Sequence, residues 1–497
     1  MSLKWKLYNG DGKTPGPGQS VKPGERLTWP RTVGIGAQHV VAMFGATFVF
    51  PLIMGLDANL AVMMSGVATI IFLLVVSGRI PSYLGTSAAF VGGVAAIRAA
   101  GGSSGDVTGS IMIAGVVLLL VGVVVHIAGG HIIQKWLPPA VTGAVVMLIG
   151  FNLAPVVAGT YWPQDQWVGF AVMVFVVIAS LLLRGLWARI SILLALVFGY
   201  LLSWLLDKMA GPITSVLPGQ NLQDAAGKAC DAEGLYCHAT AFAHSRTNFG
   251  AVADADWLGL PNFHAPSFHG QFILLTLPAV IALIAENVGH VKAVAEMTDE
   301  NLDPYMGRAI AADGLATVLA TSVGGSPTTT YAENIGVMAA TRVYSTAAYY
   351  VAALVAILLG FCPKFGALIN GIPGGVLGGI TVVLYGMIGL LGAKIWKENR
   401  VDFANPINLV PLAAGIIIGV GNVSLEFSSK FSLAGIAFGT IVAVVGWHIA
   451  RVLAPREMRE SIVRERDAAA KAADDPGFGD GTSIAVGRSP GSGKRRE

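Results

Sequence analysis

Charge is what this sequence has least of. Asp, Glu, Lys and Arg together make up 12% of the 497 residues, about half their usual share in a soluble domain. Meanwhile 54% of the chain is hydrophobic and the mean hydropathy is +0.66. Those values exclude an ordinary soluble domain and make a polytopic membrane protein the expectation. The formal net charge is only +3, with basic residues scattered over short loops and a tail, which excludes a nucleic-acid surface. Cysteine is nearly absent, three residues in all, too few for a disulfide scaffold. A nucleotide-binding loop is lacking too: GRSPGSGK at 487–494 misses the phosphate-loop spacing by one residue and has no Ser or Thr after its Lys. Met1 to Pro30 is polar and carries no apolar core, so the first transmembrane helix itself is expected to start insertion.

Apolar runs, by contrast, are abundant. About 20 apolar residues cross the roughly 30 Å of bilayer hydrocarbon. Such runs fall near 32–56, 58–77, 83–97, 109–127, 138–158, 166–183 and 190–206, then near 269–292, 306–323, 328–341, 347–361, 373–393, 404–422 and 431–453. The expected organisation is a cytoplasmic segment (1–31), a first seven-span repeat (32–206), an extracytoplasmic insert (207–268), a second seven-span repeat (269–453) and a cytoplasmic tail without fixed structure (454–497). With both termini inside, only Arg98, Lys208, Lys228, Arg246, Lys364 and Lys430 fall outside, as the bias of basic residues toward the cytoplasm requires. An odd number of spans per half inverts the second half relative to the first. LPPAVTGAVVMLIG (137–150) echoes IPGGVLGGITVVLYG (372–386), and AQHV (37–40) echoes AENV (285–288), in matched order. The fold class expected is therefore all-α, with 14 transmembrane segments.

The third segment of each half departs from the rest. YLGTSAAFVGGVAAI (83–97) and TTTYAENIGVMAAT (328–341) are too short and too interrupted to cross as plain helices. Pro327 followed by three threonines favours a short extended piece, with helix beginning around Glu333 and Asn334. A half-helix that starts inside the membrane turns its free N–H groups and positive dipole end toward a ligand, and interrupted segments at matching places in inverted halves point to a transporter's binding site.

Charged side chains at that depth cost roughly 2.5–3.5 kcal/mol on insertion scales. Those present gather in the first three spans of the second half: Glu286 and His290 in AENVGH, Asp313 in AADGLA, Glu333 and Asn334 in AENIG. Glu286 and His290 are four apart and share one helical face. Mutual pairing that fixes helix packing is the plainer reading, and for Asp313 it stands level with the functional one. A zinc site on Glu286 and His290 lacks a third ligand at a usable spacing, and no nucleophile–base pair suggests an enzyme. Ionised carboxylates only accept hydrogen bonds, so two of them with backbone N–H groups suit a ligand bearing both N–H and carbonyl groups: a small neutral heterocycle or amide. Glu286, Glu333 and His290 are titratable, which makes proton-coupled binding the expectation.

ENIGVMAATR (333–342) resembles the signature of the nucleobase/ascorbate transporters. AQHVVAMFGATFVFP (37–51), IPSYLGTSAAF (80–90), AENVGH (285–290) and TTTYAENIGVMAATRVYS (328–345) together look like its bacterial uracil permease branch. The resemblance covers roughly 30 to 455. It implies two inverted seven-helix repeats, a core domain of spans 1–4 and 8–11 moving against a gate domain of spans 5–7 and 12–14, and a homodimer in the inner membrane. It implies a substrate site of Glu286, Glu333 and Asn334 with backbone groups at Ala332 and Ala88, a proton-coupling role for His290 with Glu286 and Glu333, and support from His39 and Asp313. No cofactor beyond the coupling proton is implied. The uracil permeases carry an aromatic residue at the position of Ala88, so the pocket here is expected to be roomier, with thymine or xanthine as further substrates. Purine transporters of the family tend to have Gln where Glu333 stands.

Rival expectations are an anion exchanger of the sulfate-carrier type on the same architecture, disfavoured by two intramembrane carboxylates, and a pore or receptor without coupled transport. Cys230 and Cys237 in the insert are either a disulfide or a free pair. The glycine pairs of PGGVLGG (373–379) are expected to admit close helix approach. Basic residues of the tail are expected near anionic lipid.

Overall fold

The computed structural model describes residues 4–16, 19–184, 187, 190–217, 220–223, 227–229, 238–428, 431–460 and 462. Cys230, Cys237 and nearly all of the tail expectation lie outside the described residues.

The first half of the chain runs α1 (Trp29–Met54), α2 (Ala58–Val75), a strand β1 (Leu84–Thr86), α3 (Val91–Ala99), α4 (Ser104–Ala128), α5 (Pro139–Asn152), α6 (Gln166–Leu182) and α7 (Ser191–Met209). The second runs α8 (Pro278–Thr298), α9 (Met306–Ser322), β2 (Thr328–Thr330), α10 (Ala332–Thr341), α11 (Thr346–Gly360), α12 (Gly374–Glu398), α13 (Pro406–Val420) and α14 (Gly435–Leu453). Among the described residues eight helices are long and apolar enough to cross a membrane, and α11 with Pro363–Asn370 forms a further pair bent by 83°. The chain is thus a mostly helical, multi-pass membrane protein.

Several boundaries differ from the sequence expectation for local reasons. The fifth span ends as a helix at Asn152 and continues through a π-helical turn at Val157–Tyr161, with Pro155 interrupting the regular ladder. The eighth has a break before Pro278, which cannot donate to the preceding turn, and its helix runs on to Thr298. The last begins at Gly435, not 431, because Ser424–Ser428 and Phe431–Ala434 pair as an antiparallel hairpin.

Packing divides the helices. α4 lies along α9, α2 along α11 and α9, and α1 along α11, whereas α12 packs on α5 and α6, α13 on α14 and α5, and α6 on α7. In lipid no hydrophobic effect drives helices together, so close backbone approach has to do so. A Cβ on Gly122 of α4 would lie 2.2 Å from the Ala311 nitrogen of α9, and one on Gly379 of α12 would lie 2.3 Å from the Gly169 carbonyl of α6. The second of these is the close approach expected of PGGVLGG.

The insert is fastened to the membrane helices. Ile213–Ser215 pairs antiparallel with Phe242–His244, and Arg246 then reaches down between α6 and α7. Its Nε donates to Asp165 at 2.7 Å and its Nη1 to Asp207 at 3.3 Å, with all three side chains at most 12% exposed. Farther along, Asn262 bonds Asp57, the cap of α2, and Ser267 and His269 both bond Asp106 in the first turn of α4. Removing one partner of a buried ion pair leaves an uncompensated charge. Arg246→Met is therefore expected to destabilise the protein by about 3 kcal/mol, read as a lowered unfolding midpoint in detergent. An unchanged midpoint would show that solvent already screens the two aspartates.

Candidate functional site

β1 and β2 cross antiparallel, Leu84 opposite Thr330, Gly85 opposite Thr329 and Thr86 opposite Thr328. The pairing extends past the strands, from Tyr331 N–H to the Tyr83 carbonyl and from Ser87 N–H to the Pro327 carbonyl, both at 3.0 Å. Non-helical backbone is tolerated at membrane depth only where its polar groups find partners, and here each interrupted segment supplies them to the other. Threonines complete the lattice. Thr69 Oγ1 accepts from Leu84 N–H at 2.9 Å, Thr317 Oγ1 accepts from Thr328 N–H at 3.1 Å, and the Thr86 and Ser326 hydroxyls hydrogen-bond each other at 2.9 Å. Tyr331 crosses the sheet to donate its hydroxyl to the Thr86 carbonyl at 2.8 Å.

Each strand leads into a half-helix, β1 through the 3-10 turn Ala88–Phe90 into α3, and β2 directly into α10. The first N–H groups of a helix have no partner within it, and Tyr331 at the start of α10 provides no side-chain cap. The first donors of α10 therefore lack a helical partner, and the helix opens one residue earlier than the Glu–Asn pair.

α8 packs alongside Ala88–Phe90, β2 and α10, and bonds join it to β2. Thr329 Oγ1 donates to Glu286 Oε2 at 3.1 Å, and His290 Nδ1 pairs with Thr330 Oγ1 at 2.7 Å. Exposure separates the residues of this region. Glu286, His290, Glu333 and Ala88 are half-buried and Ala332 is exposed, while the strands between them are buried throughout. The structure thus brings Glu286, His290, Glu333, Ala332 and Ala88 together as accessible groups around the crossing. None of the ion pairs among the described residues involves Glu286, Glu333 or Asp313, and among those residues no group of three metal-ligating side chains occurs.

A second layer is fully buried. Asn287 donates to Asp313 Oδ2 at 2.7 Å, joining α8 to α9. His39 of α1 lies against the Tyr349 ring at 4.2 Å between centroids, and its carbonyl accepts from Asn334 Nδ2 at 2.9 Å. His39 and Asp313 are thus both fully buried, one behind α10 and the other behind α8. Asn334 departs from expectation: it is fully buried, so its side chain ties α10 to α1 instead of lining the accessible region. The reason is helical geometry, since neighbours on a helix point about 100° apart and only Glu333 of the pair faces outward. Asn287, Thr329, Thr330 and Tyr331 were not singled out from the sequence as site residues. Their signal was weak but present, a polar residue beside Glu286 and a polar strand just ahead of Glu333.

Two carboxylates, a histidine and the open end of a half-helix can hold a neutral planar ligand by its N–H and carbonyl edges. The chain is 44% identical over 432 residues to the putative pyrimidine permease RutG of Escherichia coli (strain K12), an alignment covering 86% of this chain and 90% of that one. It is 32% identical over 437 residues to the uracil permease of Bacillus caldolyticus, covering 85% and 92%, and 33% identical over 449 residues to the uracil permease of Escherichia coli (strain K12), covering 87% and 95%. Among solved structures, the transmembrane domain of the cyanobacterial bicarbonate transporter BicA matches with a TM-score of 0.51 at 13% identity, covering 84% of this chain and 96% of that one. The murine anion transporter Slc26a9 in its inward-facing state matches with a TM-score of 0.56 at 12% identity, covering 86% and 68%. At such identities the likeness is one of fold. The model of the Xan_ur_permease group, described as the permease family, matches residues 30–426, and the chain belongs to that family of membrane transporters and is not an enzyme.

Proposed function

We propose that the chain imports a nucleobase, uracil foremost, by proton symport through alternating access. The observation that carries this reading is Glu286, held by Thr329, on a helix that packs against α10 with its Glu333 and uncapped start. Uracil offers two ring N–H groups and two carbonyls. The carboxylates suit the former and the backbone N–H groups of Ala332 and Glu333 suit the latter. His290, bonded to Thr330, stands beside Glu286 as a proton-exchanging group. An anion would meet two carboxylates, neither of them in an ion pair among the described residues, so the likeness in fold to anion transporters does not extend to the ligand.

In this reading the chain makes fourteen segments in two inverted sets of seven, with both termini in the cytoplasm of a plasma-membrane homodimer. The division in packing supports a core of α1–α4 with α8–α11 and a gate of α5–α7 with α12–α14. One proton entering through 100 mV contributes about 2.3 kcal/mol, enough to concentrate a neutral base without ATP. Radiolabelled uracil uptake into proteoliposomes, with and without an inward proton gradient, tests the proposal. Gradient-driven accumulation supports it, and uptake of sulfate in place of uracil would overturn it.

Ala88 sets the breadth of the pocket. An aromatic ring in place of its methyl would add bulk just ahead of α3. Ala88→Phe is expected to keep uracil uptake within about threefold while weakening competition by xanthine more than about tenfold, since a bulky side chain in a hydrophobic pocket discriminates by about 1–3 kcal/mol. Equal competition in both proteins would remove Ala88 from the pocket.

A further inference from the structure

The turn joining α10 to α11 has its backbone groups satisfied by a distant part of the chain. α10 ends at Arg342 in the left-handed region, with φ of 55°. The next residues must find partners at the edge of the membrane, and they find them at 21–25. Val21 N–H donates to the Arg342 carbonyl at 2.9 Å, Tyr344 N–H donates to the Val21 carbonyl at 2.8 Å, and Thr346 N–H donates to the Pro23 carbonyl at 3.1 Å. Val21 and Val343 thereby form a parallel bridge. Ser345 heads α11 without capping it, and its hydroxyl donates instead to the Glu25 carbonyl at 2.5 Å. Thr346 Oγ1 donates to Pro23 and accepts from Trp5 Nε1 at 2.8 Å. Around these bonds Tyr8, Val21, Leu27 and Val343 make a small buried cluster separate from the main core, closed by the pairing of Lys6–Leu7 with Glu25–Arg26.

We propose that this N-terminal segment is a clasp that sets the position of α10, with Val21 as a positioning residue for the transported base. α10 has ten residues, so it is a rod about 15 Å long. One end presents N–H groups and Glu333 to the ligand, and the other is gripped by residues 21–25. A short helix moves as a unit, so releasing the gripped end displaces the binding end. The segment also leads directly into α1, whose His39 holds Asn334 on the same helix, so α10 is fixed at two levels from one side. The inference rests on the reading above that the start of α10 holds the nucleobase.

Three substitutions test it in proteoliposomes, with KM, kcat and equilibrium binding of uracil measured for each. Val21→Pro deletes the N–H donated to Arg342, Thr346→Val deletes the hydroxyl that joins Trp5 to Pro23, and Val21→Ala keeps every backbone bond. Val21→Pro and Thr346→Val are expected to raise KM and Kd roughly fivefold, the effect of losing one hydrogen bond, with kcat within about twofold and Val21→Ala near the unmodified protein. Unchanged Kd in Val21→Pro, whether or not folded yield and kcat fall, would overturn the clasp and leave the segment a structural element. Failure of the unmodified chain to bind any nucleobase would overturn the reading of the site itself, a result seen before any substitution is made.

Discussion

Glu286→Gln is expected to weaken uracil binding by about 10- to 100-fold and to remove gradient-driven uptake. One carboxylate oxygen of Glu286 is taken by Thr329 at 3.1 Å, which on the proposed reading leaves the other for a ring N–H of the base. Gln has the same length but only one acceptor. If its oxygen stays on Thr329, its NH2 faces the N–H of the base, donor against donor. If the amide turns over, Thr329 can accept in its place, and the base then keeps a neutral bond about half as strong as the charge-assisted one. Either orientation loses affinity, and neither can release a proton. Equilibrium binding and uptake measured separately distinguish the two losses. A Gln variant with near-normal gradient-driven uptake would remove Glu286 from both roles.

The same region shows what the sequence could and could not display. Spacing alone placed Glu286 and His290 on one face, because four residues is nearly one helical turn. Pro327 and the threonine run marked the extended break, because local backbone preferences are written locally. Partners across the fold carry no such signal. Thr329 lies 43 residues from Glu286, Asn287 lies 26 from Asp313, and Asn334 lies 295 from His39, so nothing in either stretch indicates which side chain faces the ligand and which faces a neighbour. Glu333 and Asn334 are adjacent and equally polar, and only the packing of α10 on α1 sorts them. The N-terminal segment is the extreme case: read alone it is a polar stretch with Gly and Pro, yet its backbone completes a turn more than 300 residues away. The pairing of Ser424–Ser428 with Phe431–Ala434 is hidden for the opposite reason, since the apolar residues there merge with the run of the final helix.

Gly85→Ala is expected to have the larger effect on the fold itself, lowering folded yield sharply and abolishing uptake. A Cβ at this position would stand 2.4 and 2.5 Å from two carbons of the Tyr331 ring and 2.6 Å from Thr47 Oγ1, where non-bonded carbons prefer about 3.5–4.0 Å. The ring cannot withdraw cheaply. Tyr331 is buried and its hydroxyl is fixed between the Thr86 carbonyl and Thr47, so yielding to the methyl breaks two bonds of about 1 kcal/mol each on top of about 1–3 kcal/mol of overpacking. The alternative is for β1 to move away from β2, which undoes the pairing that supports both half-helices and carries Ala88 away from Ala332. Tyr331→Phe would not relieve the clash, because the offending atoms belong to the ring. Gly386→Ala is the matched control, since a methyl there meets nothing within 4 Å, and it should melt and transport like the unmodified protein. Were Gly85→Ala to do the same, the two strands would have slack at their crossing, and the close pairing that holds the half-helix ends in register could not be what builds the site.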